Sequence, residues 1–244
     1  MEGYDASTYG DRIAAVYDPI FTRHADDDRV FDVLAELAGP GPALELAIGT
    51  GRVAIQLVKR GVEVHGIDTS EAMVAQMRAK PGGADIPVTM GDMAEVDVPG
   101  RFPLIYLVFN TFFALPDEQA QRRCMRNVAE HLTDDGIFVI EVFVPDQKRF
   151  DRGQTLRTDA LGVDFALLEA SIHDEDAQVV EAQHILIREG RMEQFPVRVR
   201  YAFPEQLDDM AATAGMRMRD RWADWGRAPF TAESGKHITV YERA

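Results

Sequence analysis

The stretch Ala43-Leu44-Glu45-Leu46-Ala47-Ile48-Gly49-Thr50-Gly51-Arg52-Val53-Ala54-Ile55-Gln56-Leu57 leaves little choice of local structure. A buried strand ends at Ala47, the chain turns through Gly49 and Gly51, and a helix follows with Val53, Leu57 and Val58 on one face. Glycine serves where the backbone must take a positive φ or let a ligand approach the main chain. The helix that starts there offers unpaired N–H groups and the positive end of its dipole. The loop is expected to hold a cofactor.

Further β-α units follow in the same order. Val62–Asp68 reads as the second strand, and Ser70 caps a helix over Ala72–Lys80 that Pro81-Gly82-Gly83 closes. A carboxylate at the C-terminal end of a strand in a doubly wound sheet can accept both hydroxyls of a ribose, so Asp68 is the expected ribose anchor. Gly49-x-Gly51-x-x-Ala54 with an acid about 20 residues on also suits a dinucleotide, which keeps an NAD(P)-dependent oxidoreductase open. Ile86–Met90 is a third strand, followed at once by Gly91-Asp92-Met93. Phe102–Phe109 is nearly all apolar, as a central parallel strand buried on both faces should be, and it runs into Asn110-Thr111-Phe112-Phe113. A helix from about Asp117 to Leu132 and a strand over Gly136–Val144 complete the series.

Glu45 two residues before the end of the first strand, then Ala47-x-Gly49-x-Gly51, with Asp68 and Gly91-Asp92-Met93 closing the next two strands, resembles the class I S-adenosyl-L-methionine (SAM) dependent methyltransferases. Members often carry glycine where this chain has Ala47. The resemblance implies an α/β fold, a Rossmann-like doubly wound seven-stranded sheet, and SAM as cofactor with S-adenosyl-L-homocysteine as product. It implies that Glu45 orders the loop, that the loop passes under the amino-acid end of SAM, and that Asp92 and Met93 meet the adenine. Tyr9 and Tyr17 match a leading Tyr-(x)7-Tyr-Asp segment that covers the cofactor, although packing of an aromatic arm on the body would explain them as well. The implied cofactor site is Tyr9, Tyr17, Glu45, Ala47, Gly49, Gly51, Asp68, Thr69, Met73, Asp92, Met93 and Asn110. Asn110 would sit beside the sulfonium, and Phe112 and Phe113 would line the acceptor pocket unless they are core aromatics.

From Pro145 to Phe203 the pattern changes to alternation. Val163–Ile172, Gln178–Arg188 and Arg191–Phe203 read as antiparallel strands, the last two joined by a turn at Glu189-Gly190. An antiparallel insertion here resembles the lid of methyltransferases that act on small metabolites and amino sugars, where it covers the acceptor and can join two subunits. Arg198 and Arg200 share a face and are expected either to bind an acceptor carboxylate or phosphate or to lie on a solvated sheet face. His184 shares a face with Val180, Ala182 and Leu186, as a core histidine or a general base. The catalytic candidates are Tyr17, Asn110 and His184, and the substrate-binding ones Phe112, Phe113 and Arg198. Pro204–Ala214 is a helix, and Met216–Trp222 with His237–Tyr241 makes a closing hairpin.

The expected organisation is a cap over 1–42, a cofactor-binding core over 43–144, a lid over 145–203 and a C-terminal helix and hairpin over 204–244. Asp26-Asp27-Asp28 is expected to cap a helix running to Leu37 rather than to bind metal. A lone Cys124 excludes an internal disulfide framework and a thiolate metal site, and the histidines lack paired ligand spacing, so no metal is expected. A net charge of -15 without a basic run argues against nucleic acid. No apolar stretch reaches the length of a membrane span and no secretory signal opens the chain, so the cytoplasm is the expected location. The function that fits best is methyl transfer from SAM to a nitrogen or oxygen of a small molecule, with a homodimer possible through the lid. A fold relative acting as a cyclase or binding protein is the other alternative.

Overall fold

The computed structural model describes residues 1–21, 27–95 and 98–244. Five strands run parallel: Ala43–Leu46 (β1), Val64–Asp68 (β2), Val88–Met90 (β3), Phe102–Leu107 (β4) and Leu132–Phe143 (β5). A C-terminal hairpin of Met216–Trp222 (β10) and Lys236–Arg243 (β11) adds to β5 antiparallel, giving the order β10-β11-β5-β4-β1-β2-β3. The parallel strands are apolar because helices cover both faces. Arg29–Ala38 (α3), Ala54–Lys59 (α4) and Glu71–Arg78 (α5) pack on one face, and Glu118–His131 (α6) and Pro204–Thr213 (α7) on the other. Strand order reverses between β1 and β4, so the loops after these strands diverge and open a crevice at their C-terminal ends.

Ser70 caps as the sequence leads one to expect, its Oγ accepting from Met73 N at 3.1 Å, and at the start of α6 Asp117 Oδ1 accepts from Ala120 N at 2.8 Å. The aspartate run caps through one residue: α3 starts at Arg29, Asp28 makes no side-chain cap bond, and Asp27 Oδ1 accepts from Arg29 N at 3.2 Å while also gripping the Arg29 guanidinium; Asp26 lies outside the described residues.

The lid has one strand more than alternation predicts. Gln154–Leu161 (β6), Phe165–Asp174 (β7), Val179–Arg188 (β8) and Arg191–Arg200 (β9) form a separate antiparallel sheet in that order. β6 escapes the sequence pattern because its inward residues include the charged Arg157 and Asp159, which line a cavity rather than an apolar core. The leading segment folds into two short helices, Thr8–Ile13 (α1) and Tyr17–Phe21 (α2), which with Met73 and the lid's Leu167, Leu186 and Phe195 build a third apolar cluster. The arm thus lies between core and lid.

Candidate active site

One cavity of about 1510 Å³ runs from the loops after β1, β2 and β3, past the loop after β4, to the inner face of the lid. At its core end the backbone does most of the work. Ala47, Gly49 and Gly51 all take positive φ, at 55°, 57° and 71°. A Cβ on Gly49 would meet nothing nearer than Ala47 O at 3.9 Å, so this face of the loop opens into the cavity. Gly51 has another reason to be glycine: a Cβ there would come within 2.4 Å of Met77 Cγ on α5. Gly49 N donates to Asp68 Oδ2 at 2.7 Å and Ser70 N to Oδ1 at 2.8 Å. Burial lifts the Asp68 carboxyl above its ordinary value, against the pull of the N–H groups of Ser70, Gly49 and Thr69. Glu45 lies deeper. Burial pushes its carboxyl up to about 8, opposed by the Tyr106 hydroxyl that donates to Oε2 at 2.8 Å and by the N–H of Ala54.

The arm is fastened over this loop. Ser70 Oγ donates to Asp11 Oδ1 at 2.6 Å, Thr50 Oγ1 to Asp18 Oδ1 at 2.7 Å and Thr69 Oγ1 to Ala6 O at 3.2 Å, and Lys80 pairs with Asp18. Gly10 allows the approach, since a Cβ there would lie 2.7 Å from Ser70 Cβ. Tyr9 and Tyr17 consequently line the cavity, and burial raises the Tyr9 phenol well above its ordinary value. The Arg52 guanidinium stacks 3.7 Å above the Phe109 ring.

Residues 43–136 match the family described as "Methyltransferase domain". The solved CcbJ methyltransferase from Streptomyces caelestis superposes with a TM-score of 0.93 and is 40% identical, with 99% of this chain and 100% of that one covered. The chain is a class I SAM-dependent methyltransferase. More distant relatives include the cypemycin N-terminal methyltransferase of a Streptomyces species, 22% identical over 82% of each chain. The dTDP-4-amino-2,3,4,6-tetradeoxy-D-glucose N,N-dimethyltransferase of Saccharopolyspora spinosa is 26% identical over 84% of this chain and 78% of its own.

The methyltransferase's own residues fit SAM. The open face at Gly49, the buried Asp68 carboxylate at the end of β2, and Asp92 and Met93 at the end of β3 border one continuous space together with Glu45, Ala47, Thr69, Met73 and Asn110. When bound, SAM supplies an activated methyl group, so the protein's part is to align the acceptor, exclude water and manage a proton.

Other candidates need correction. Phe112 and Phe113 are fully buried and do not line the cavity. They pack into the core below the turn, where Phe113 meets Phe143 edge-on with ring centres 4.9 Å apart, and Thr111, Ala114 and Leu115 form the wall instead. Asn110 lines the cavity, but its side-chain oxygen accepts from Phe143 N at 2.7 Å, and its φ of 66° turns the chain out of β4. Arg198 reaches the cavity while its Nη1 donates to Pro116 O at 2.8 Å. Arg200 is not on a solvated face: only 6% exposed, it binds Gln121 Oε1 at 2.7 Å and Glu118 Oε2 at 3.0 Å, joining the lid to α6.

Sequence reading also missed several cavity groups, among them two buried acids. Glu141 on β5 accepts from Trp225 Nε1 at 3.1 Å, Phe109 N at 3.2 Å and Lys236 Nζ at 2.7 Å. Glu169 on β7 is buried on the lid's inner face. A lone acid within an apolar strand was the available signal in both cases.

Proposed function

We propose that this methyltransferase moves the methyl group of SAM to the nitrogen of a small amine held between the loops of the core and the inner face of the lid. The observation that carries the reading is one continuous cavity. It joins the Gly49–Asp68 loop to a lid wall bearing Arg149, Arg157, Asp159, Glu169 and His184, and at about 1510 Å³ it exceeds what one small ligand fills, about 300–1,000 Å³. The names of the cypemycin and amino-sugar relatives favour nitrogen over oxygen.

In this assignment Gly49, Gly51 and Ala47 pass under the amino-acid end of SAM, Glu45 stiffens that loop, Asp68 with Thr69 takes the ribose, and Asp92, Met93 and Met73 take the adenine. Tyr9 and Tyr17 cover the site, and Tyr17 with Asn110 shapes the transfer centre. Titration calorimetry with SAM, S-adenosylhomocysteine and NADH, followed by a screen of small amines for methylated product, tests it. Micromolar binding of the adenosyl compounds, about -8 kcal/mol, and one methylated amine are expected. SAM binding with no product from any amine or alcohol would favour the cyclase or binding-protein alternative.

The outer face of the lid fits a second copy of the chain. Leu156, Ile172 and Met192 are 69%, 68% and 63% exposed, and Ile187 stands opposite Met192 on the neighbouring strand. In a chain of net charge -15, these exposed apolar side chains give two copies a place to meet, with Glu181 beside Ile172 the carboxylate on this part of the face. Light scattering is expected to give a dimer that Ile172→Lys converts to monomer, and a monomeric wild type would sink this part. No helix among the described residues is long and apolar enough to cross a membrane.

A further inference from the structure

The inner face of the lid is apolar except around one row. Arg157, Glu169, His184 and Phe195 stand side by side on β6, β7, β8 and β9. Around them Ala160, Leu167 and Leu186 pack with the arm. Desolvating charges here costs free energy that apolar side chains of similar size would not, so sheet stability does not account for the row.

Arg157 organises it. Its Nε lies 3.0 Å from Asp159 Oδ1 and its Nη2 3.0 Å from Glu169 Oε2, while Asp159 Oδ2 is 3.5 Å from His184 Nδ1. Burial works against the Asp159 charge, but His184 and the arginines 157 and 149 outweigh it and hold its carboxyl below the ordinary value. A carboxylate beside Nδ1 favours the tautomer that carries its proton there, which makes Nε2 the basic nitrogen.

Asp159, Glu169 and His184 also bring one potential metal ligand each within 4.8 Å of one another. Arg157 and, at 3.9 Å from Glu169 Oε1, Arg149 already answer the two carboxylate charges. A divalent cation would enter a cluster with no net negative charge to hold it. The chemistry left is that of a proton.

We propose that His184 takes the proton of the acceptor's ammonium group at Nε2, with Asp159 positioning the imidazole and Arg157 positioning Asp159. This rests on the N-methylation reading above. The acceptor N–H bond breaks, an Nε2–H bond forms, and the electron pair stays on the amine nitrogen as the nucleophile. The imidazolium faces the Asp159 carboxylate and later returns its proton to water. His184 is the catalytic residue of this relay, and Asp159 and Arg157 are positioning residues. Facing the ring are Arg157 and Asp159 from β6, Glu169 from β7 and Arg149 from the segment before β6. Phe195 is its neighbour on β9, and the phenols of Tyr9 and Tyr17 come from the arm side. Glu45, raised to about 8, lies in the same cavity, so a variant rather than the wild-type profile must decide.

The test uses the full chain with SAM and an amine that the screen identifies. His184→Gln is expected to lower kcat about 10²-fold and to abolish the rise of rate with pH through neutrality, with SAM affinity unchanged by calorimetry. Asp159→Asn is expected to lower kcat about tenfold. Imidazole 15N spectra should show Nδ1–H in the wild type and a shift toward Nε2–H in Asp159→Asn. Retained turnover and pH profile in His184→Gln, or an Nε2–H tautomer in the wild type, overturns the relay. So does tight Zn²⁺ binding that His184→Gln abolishes, which would make the cluster a metal site. Failure of the N-methylation reading looks different: the wild type binds SAM and methylates no amine, and the tautomer still decides whether Asp159 positions the ring.

Discussion

The two ends of the cavity are made in different ways. At the core end, main-chain groups and side chains within a few residues of a strand end do the work: Gly49 N and Ser70 N on Asp68, Ala94 N on Asp92, and a loop of three positive-φ residues. At the lid end the groups are side chains drawn from three strands, Arg157 and Asp159, Glu169, and His184, held to one another rather than to the backbone. A backbone site is preorganised by the fold itself, whereas a side-chain site is easily re-lined for a new ligand. The core end therefore depends chiefly on the main chain and the lid end on side chains.

The largest effect should come from cutting the core end at Asp68. Asp68→Ala is expected to weaken SAM binding about 10²-fold, the scale of losing charge-assisted hydrogen bonds from a buried carboxylate. The same titration on lid variants should show no change. If Asp68→Ala binds SAM like the wild type, or a lid variant loses SAM, the division between the two ends fails.

The contrast also explains what could be read in the sequence. Glu45, Gly49, Gly51, Asp68 and Asp92 each follow or end a strand, so local order alone places them at one crevice once the sheet is parallel. The lid row has no such signature. Residues 157, 169 and 184 meet only through strand register, and β6 shows no alternation because its inner face is charged. Phe112 and Phe113 misled for a related reason: a 3-10 turn after β4 directs them under the sheet rather than into the cavity. Asp11 and Asp18, which pin the arm to the cofactor loop, lie in a segment whose partners are Ser70 and Thr50, too far along the chain for any local pattern.

A pH test separates the ends next. Burial lifts the Glu45 carboxyl from its ordinary 4.5 to about 8, so between these the folded state holds a proton that the unfolded state has lost. Stability from this group is full below pH 4.5, falls as pH rises toward 8, and is level above it. Glu45→Gln should remove that slope, so its melting temperature relative to wild type should rise from pH 5 to pH 8. Lid variants should leave the slope in place. A parallel pair of Tm–pH curves for Glu45→Gln and wild type would show that the carboxyl is not held neutral by burial.

The smallest effect concerns Ala47. Ala47 sits at φ 55°, where a Cβ crowds the following carbonyl at a cost of about 1–2 kcal/mol. Glycine relieves that strain but loses more entropy on folding, about 0.5–1 kcal/mol. Ala47→Gly should thus be stabilising by no more than about 1.5 kcal/mol, read as a small rise in Tm. A loop whose shape is already fixed by Ile48 N on Ile67 O at 2.9 Å and Gly51 N on Ile48 O at 3.0 Å should bind SAM no less well after the change. Weaker SAM binding in Ala47→Gly would mean that the alanine methyl, rather than the main chain, shapes this wall, and the core end would then share the lid's dependence on side chains.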